Sequence, residues 1–95
     1  MAVHRIELPD FGFDAQAARD LFAEHPAMNG EPVRLIIPAM ALYGSTFVHG
    51  IAESLEARDV TQVTIYGASV TDADRFDRAL ARRHVTARVF RDTEV

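Results

Sequence analysis

The segment from Val33 to Ile37 constrains the fold of this chain more than any other. It reads Val-Arg-Leu-Ile-Ile and is followed by Pro38, so it is too short for a helix and too apolar for a surface loop. Short runs of branched apolar residues are typical of strands that are buried on both faces. We therefore predict a central buried strand here.

A helix follows this strand after a short turn at residues 43–46. The next apolar side chains recur every four positions, which places them on one stripe of a helix. These residues are Phe47, Val48, Ile51, Ala52 and Leu55. The unit is thus a strand, a loop from its carboxyl end and a helix that begins with hydroxyl side chains. We expect any functional site to lie at this loop and helix start.

Three more strands and two more helices complete the pattern. Residues 3–8 and 85–90 alternate between apolar and polar side chains, and residues 60–66 are rich in β-branched and aromatic residues. Asp14 and Thr71 stand where the other two helices begin, and we predict that both are N-caps.

The order of elements, β-α-β-α-β-α-β, defines the predicted fold class. Strands that alternate with helices through short connections are typical of a layered α/β domain with a mainly parallel sheet. Ninety-five residues provide for one modest core. We predict a single compact domain over residues 1–95, with about four strands and three helices. Residues 91–95 are the predicted frayed tail.

The composition argues against several classes of function. The chain has no cysteine, which excludes disulfides, thiol nucleophiles and cysteine metal sites. Its net charge of −4 argues against a nucleic-acid partner, since phosphate contacts need a basic surface. No apolar run approaches the length of a membrane span, and the N-terminus lacks a signal-peptide pattern. We therefore expect a cytoplasmic protein without a membrane partner.

The hydroxyl groups of Ser45 and Thr46 allow two interpretations. One of them caps the following helix, which would stabilise it by about 1 kcal/mol. Alternatively, a hydroxyl here is phosphorylated or helps to bind an anion, because the free amides and the dipole of a helix start favour negative charge. A phosphate would add about −1.5 to −2 charges to the surface. The two interpretations are compatible with each other.

Five consecutive apolar residues, 39–43, occupy the loop before this helix. Such a run either folds under the domain or is covered by another molecule. We predict a partner-binding surface that includes this loop and the exposed face of the helix. Its residues are Met40, Leu42, Tyr43, Gly44, Ser45, Thr46 and His49.

A second candidate site lies at the same edge of the predicted sheet. Tyr43-Gly44 and Tyr66-Gly67 end two successive αβ units, so we expect both at the carboxyl edge of the sheet, where ligands of parallel sheets gather. A small ligand or nucleotide would then contact Tyr43, Gly44, Gly67 and Ser69. The alternative is that the glycines serve turn geometry and the tyrosines cover the sheet.

Enzymatic chemistry has little support in the sequence. His49 follows Ser45 by one helical turn, but no G-x-S-x-G elbow is present and a helix start does not favour a nucleophile–base pair. The histidines lack the spacing of metal ligands, and no glycine-rich phosphate fingerprint occurs. We therefore expect no enzyme, no metal and no cofactor.

The segment from Phe11 to Leu55 resembles STAS-like domains, which are relatives of the anti-sigma factor antagonists. In that family a β-α-β lead runs into a loop, and a hydroxyl-rich turn precedes a phenylalanine and a helix, as Gly44-Ser45-Thr46-Phe47 does here. The resemblance implies a sheet of four or five strands with helices and a phosphorylated Ser45 or Thr46. It also implies a protein partner, a histidine-kinase-like ATPase that acts as an anti-sigma factor.

Two positions differ from the family pattern. The family commonly has an acidic residue at the end of the central strand, where this chain has Ile37-Pro38, and its turn often has an acid where this chain has Tyr43-Gly44. Partner binding is compatible with both differences, whereas the acidic context that would orient phosphorylation is missing. We predict a regulatory interaction module, with a small-ligand module as the alternative. The sequence leaves open whether copies of the chain associate.

Overall fold

The computed structural model describes residues 3–25 and 30–91. It is a compact α/β domain with three helices, a four-stranded parallel sheet and a small two-stranded sheet, which confirms the predicted fold class. In chain order the elements are β1 (His4–Glu7), β2 (Phe11–Gly12), α1 (Ala15–Ala23), β3 (Val33–Ile36), β4 (Leu42–Tyr43), α2 (Ser45–Ala57), β5 (Gln62–Ala68), α3 (Val70–Ala81) and β6 (Thr86–Arg91). Of the predicted tail, Arg91 belongs to β6 and residues 92–95 lie outside the described residues.

The main sheet has the strand order β1-β3-β5-β6, which follows the order of the sequence. Each pair is parallel, so a helix connects every strand to the next. Right-handed crossovers that all advance in the same direction place their helices on the same face of the sheet. The three helices therefore cover one face, and no described element covers the other.

This one-sided arrangement corrects the prediction for the central strand. Val33, Leu35 and Ile37 are buried against the helices, whereas Arg34 is exposed and Ile36 is half-buried on the opposite face. The strand is central, but it is not buried on both faces as the apolar run indicated.

The core lies between the sheet and the helix layer. Each helix contributes one phenylalanine with no exposed surface, and these rings pack with fully buried branched residues from the strands. The largest of these residues are Phe22, Phe47, Phe76, Ile6, Leu35 and Ile65. Burial of each such side chain stabilises the fold by roughly 1.5–3 kcal/mol.

The small sheet extends the carboxyl ends of β1 and β3. Phe11 pairs with Leu42 and Gly12 with Tyr43, and the Gly44 amide donates a hydrogen bond to the Gly12 carbonyl at 2.8 Å. The sequence predicted an irregular loop here. Two of its residues form a strand instead, so part of the loop has a fixed backbone.

One of the two predicted N-caps is confirmed. The Asp14 carboxylate accepts a hydrogen bond from the Ala17 amide at 2.8 Å, as expected for the cap of α1. The prediction of Thr71 as a cap is wrong, because Ser69 caps α3 and its hydroxyl accepts from the Asp72 amide at 3.1 Å. The helix begins two residues earlier than predicted.

Candidate interaction site at the carboxyl edge of the sheet

Tyr43 anchors the loop and is not part of its exposed surface. Its side chain is only 5% exposed, and its hydroxyl donates to the Pro9 carbonyl at 2.6 Å. The ring stacks on Phe47 with centroids 5.0 Å apart and meets Phe76 edge-on. Tyr43 was predicted to belong to the partner-binding surface, but its ring is already covered by α2 and α3.

The surroundings of Tyr43 keep its phenol protonated. Burial raises the pKa of the Tyr43 hydroxyl well above its ordinary value, and the carboxylates of Asp72 and Asp10 raise this pKa further. The neutral phenol can therefore keep donating to the Pro9 carbonyl, and the Arg75 guanidinium holds the Tyr43 carbonyl at 2.7 Å. The backbone of β4 is therefore held both through the side chain of Tyr43 and through its carbonyl group.

Four large apolar side chains project from this fixed backbone into solvent. Phe11, Phe13 and Leu42 are each more than half exposed, and Met40 is 93% exposed. Phe11 and Leu42 are register partners in the small sheet, and the rings of Phe11 and Phe13 stack with centroids 6.3 Å apart. We call these four residues the carboxyl-edge patch.

Sequence reasoning found half of this patch. Met40 and Leu42 are exposed, in agreement with one of the two interpretations of the loop, but Phe11 and Phe13 were not expected at the site. The sequence pattern that could have indicated their exposure is the alternation Phe11-Gly12-Phe13. Gly12 is buried against Phe47, where a Cβ atom would lie 2.6 Å from the ring, so the flanking phenylalanines point outward.

Met40 has an unusual backbone conformation. Its φ is 63°, and the turn around it is closed by a hydrogen bond from the Ala41 amide to the Pro38 carbonyl at 3.3 Å. Turns that need a positive φ at their third residue normally have Gly or Asn there. A non-glycine residue in such a region costs on the order of 1–3 kcal/mol, and strain of this kind is frequent at functional sites.

The hydroxyl side chains do not cap α2. Gly44 is the N-cap and makes no side-chain hydrogen bond, so the first of the two interpretations, that Ser45 or Thr46 is the cap, is wrong. Pairing of β4 with β2 makes Gly44 the last extended residue, with φ −81° and ψ 159°. Ser45 and Thr46 are instead the first two helical residues, and both are exposed.

A basic groove lies beside Ser45, between α2 and α3. It has a volume of about 180 Å³. Its polar lining consists of Ser45, His49, Arg75, Arg78 and Arg82. No hydrogen bond joins Ser45 to His49 in the described part of the chain. The three arginines were not singled out from the sequence, although their spacing of three and four predicts a common helix face.

The residues predicted to hold a small ligand do not converge. Gly67 and Ser69 line a cavity of about 180 Å³ together with Met40 and Asp72, but Tyr43 and Gly44 are not part of its lining. The Ser69 hydroxyl is occupied as the cap of α3. The cavity is also smaller than the roughly 300–1,000 Å³ typical of ligand sites.

Comparisons of the chain with protein-family models, with curated proteins and with solved structures found no match. Within residues 3–25 and 30–91, no group of three or more His, Asp or Glu side chains could hold a metal ion. None of the described helices is long and apolar enough to cross a membrane. A functional proposal must therefore depend on the geometry of the carboxyl edge and on the family resemblance.

Proposed function

We propose that this protein is a cytoplasmic, non-enzymatic regulatory module of the STAS-like type. It binds a protein partner through the carboxyl-edge patch and the start of α2. The observation that carries this proposal is the patch itself, in which four large apolar side chains stand exposed on a backbone that Tyr43 fixes. Contiguous exposed apolar residues on a small domain mark contact surfaces.

The composition of the patch suits a protein partner. Aromatic residues supply large contact areas with few rotatable bonds, and Met adapts to irregular surfaces. The paired strands β2 and β4 hold Phe11 and Leu42 side by side before binding. Little backbone entropy is then lost on association, which favours affinity.

The partner of this proposal is a histidine-kinase-like ATPase, and a phosphate on Ser45 controls its binding. Support for the ATPase comes from the STAS-like resemblance. Support for Ser45 over Thr46 comes from the basic groove, because Ser45 lines this groove with Arg75, Arg78 and Arg82 whereas Thr46 does not. Arginines pair well with phosphate oxygens, and a helix start favours the added negative charge.

The alternative, a small-ligand module, has one observation in its favour. Gly67 and Ser69 do line a cavity beside the buried Asp72. Its size suits a ligand of only a few atoms, and Tyr43 and Gly44 lie outside it. We therefore prefer the protein-interaction function.

The test is the affinity for a histidine-kinase-like ATPase encoded beside this protein or co-purified with it, measured by titration calorimetry. Leu42→Asp and Phe11→Ala should each weaken binding by tenfold or more, equivalent to about 1.4 kcal/mol. Phe90→Ala, which removes an exposed ring of β6 that is not part of the patch, is the matched control and should leave the affinity unchanged. Measuring the melting temperature of each variant checks that it is folded.

A second pair of variants tests the switch. Ser45→Asp should weaken binding of the ATPase more than Thr46→Asp does, because only Ser45 faces the arginines of the groove. Neither carboxylate should lower the melting temperature, since negative charge is favourable at a helix start.

Unchanged affinity in the Leu42 and Phe11 variants, with the fold intact, would place the contact elsewhere.

A further inference from the structure

The sheet face opposite the helices carries an ordered set of side chains that the proposed function does not use. The strand register aligns them in two rows across the four strands. The first row is Arg5, Arg34, Thr64 and Arg88, and the second is Glu7, Ile36, Tyr66 and Phe90. We call these eight residues the uncovered sheet face.

Three of these side chains form a continuous stack across β3, β5 and β6. The Cζ atom of Arg34 lies 5.5 Å from the centroid of the Tyr66 ring. The Tyr66 and Phe90 rings are stacked with centroids 5.1 Å apart and planes inclined by 11°. Phe90 is on an edge strand and is 37% exposed, and no described ring or guanidinium stacks on its other side. The stack is therefore open for one more planar group.

The charge of this face is opposite to that of the whole protein. Arg5, Arg34 and Arg88 face only Glu7, which leaves +2 on the uncovered sheet face of a chain whose net charge is −4. A carboxylate oxygen of Glu7, Oε1, lies 3.2 Å from Nη2 of Arg5, so these two side chains form an ion pair. Arg34 and Arg88 have no ion-pair partner among the described residues. The charge of this face therefore favours an anionic partner over a cationic one.

We propose that the uncovered sheet face binds single-stranded nucleic acid. A base extends the stack on Phe90, a phosphate next to it is held by Arg88 on the same strand, and Arg34 contacts the nucleic-acid backbone farther along, at β3. Aromatic side chains that stack bases on an open sheet, with arginines along the backbone path, are the means by which many proteins hold single strands. Four strands about 4.8 Å apart give a platform about 14 Å wide, enough for two or three nucleotides.

A groove beside Arg88 adds polar groups for the bases. It has a volume of about 340 Å³, within the range of ligand sites. The side chains of Gln62, Thr64 and Thr86 line it, and their amide and hydroxyl groups can donate to and accept from base edges. A second copy of this chain fits the face less well, because a symmetric contact would bring like-charged arginines together.

This proposal departs from the expectation drawn from net charge. The total of −4 is an average over all surfaces, and it does not show that basic and aromatic side chains share one face. The proposal is independent of the carboxyl-edge patch, since the two surfaces have no residue in common.

Fluorescence anisotropy with labelled ten-nucleotide oligo(dT) and oligo(U) tests the proposal on the full chain. We expect saturable binding of at least one of them, with a slope of about −1.4 to −2.1 for log K against log salt, as two or three phosphate contacts predict. Phe90→Ala and Tyr66→Ala should each weaken binding by at least about fivefold. Phe90→Leu keeps the apolar volume without the ring and should weaken it similarly.

The arginines provide a second readout. Arg88→Gln should reduce the magnitude of the salt slope by about 0.7. Arg19→Gln, which removes an exposed arginine of α1 outside both proposed surfaces, is the matched control and should leave affinity and slope unchanged. Absence of saturable binding would overturn the proposal, as would equal binding by the Phe90→Leu variant. Equal competition by a poly-glutamate peptide would also overturn it, since that result would assign the face to acidic polypeptides.

Discussion

Tyr43 connects three parts of the molecule through three kinds of contact. Its hydroxyl binds the Pro9 carbonyl, its ring stacks on Phe47 of α2, and its own carbonyl accepts from Arg75 of α3. The short strand β4 is only two residues long, and these contacts supplement its backbone pairing with β2. Burial of Tyr43 on one face of the strand leaves the neighbouring Leu42 on the other, exposed face.

Tyr43→Phe should lower the free energy of unfolding by about 1 kcal/mol, because it removes a buried hydrogen bond and retains the ring packing. Urea denaturation measures the change. Tyr66→Phe is the matched control, since the Tyr66 hydroxyl has no hydrogen-bond partner among the described residues, and it should have little effect. Equal losses in the two variants would contradict the role assigned to Tyr43.

The parent protein and the Tyr43→Phe variant should also differ in how their free energy of unfolding changes at high pH. The pKa of Tyr43 is raised in the folded state, so the unfolded chain releases this proton first as the pH rises. The associated stability is fully present below about pH 10, the ordinary tyrosine pKa. It is lost above that pH, at up to about 1.4 kcal/mol per pH unit, until the folded-state pKa is passed. The Tyr43→Phe variant should lose stability less steeply above pH 10.

The central strand β3 has one buried and one partly exposed face, so substitutions on the two faces should lower the free energy of unfolding by different amounts. Leu35 is fully buried against the helices, so Leu35→Ala should lower the free energy of unfolding by roughly 2–5 kcal/mol. Ile36 is half-buried on the uncovered sheet face, and Ile36→Ala should cost about 1 kcal/mol, near the typical value for a point substitution. Equal costs, measured by urea denaturation, would show that both faces of β3 are covered.

The contact between α1 and α2 depends on a glycine inside a helix. A Cβ atom on Gly50 would lie 2.9 Å from the Cβ of Ala18 and 3.1 Å from the Cα of Ala15, closer than such atoms normally approach. Gly50→Ala gains about 1 kcal/mol of helix propensity but overpacks this contact at a cost of about 1–3 kcal/mol. We expect a net loss of stability in urea denaturation.

Ala18→Gly removes the closer of the two contacts, so its own cost of about 1 kcal/mol in helix propensity should be smaller in the Gly50→Ala background than in the parent protein. A Gly50→Ala protein that is more stable than the parent would show that the helices can separate without cost.

The four-residue spacing of the apolar stripe predicted α2 but gave no indication of how closely α1 approaches it.

Periodicity determined which parts of the fold could be predicted. The repeats of four in α2 and the alternation in β1 identified those elements, because burial on one side imposes those periods. The apolar run of β3 was ambiguous, since Leu35 and Ile36 look alike in the sequence although only Leu35 lies under the helices. Which faces a sheet buries is a property of strand order, and strand order depends on pairing between distant residues.

The candidate site was predictable only where a residue broke its local pattern. Met40 and Leu42 are apolar residues outside any period, and both are exposed. Phe11 and Phe13 precede a helix, where an aromatic residue usually joins the core, and only the pairing of β2 with β4 turns them outward. The apolar character of Tyr43 was recognised, but its burial depends on Pro9 and Phe76, which are remote in the chain.

At the scale of the whole molecule, the described residues present two candidate surfaces. The carboxyl-edge patch is apolar and lies at the ends of β1 and β3, whereas the uncovered sheet face is basic and aromatic and lies opposite the helices. The helix layer covers neither surface, so both are exposed to solvent in the described structure.

The strictly parallel strand order also has a consequence for how the chain folds. His4 pairs with Val33, Val33 with Val63 and Val63 with Ala87, so every rung of the main sheet closes a loop that contains a whole helix. No antiparallel hairpin is present among the described strands to start the sheet locally. Loop-closure entropy must be overcome before any strand pair forms, which slows folding relative to helical bundles of similar length. We therefore expect helix formation to precede strand pairing and to bring the flanking strands together.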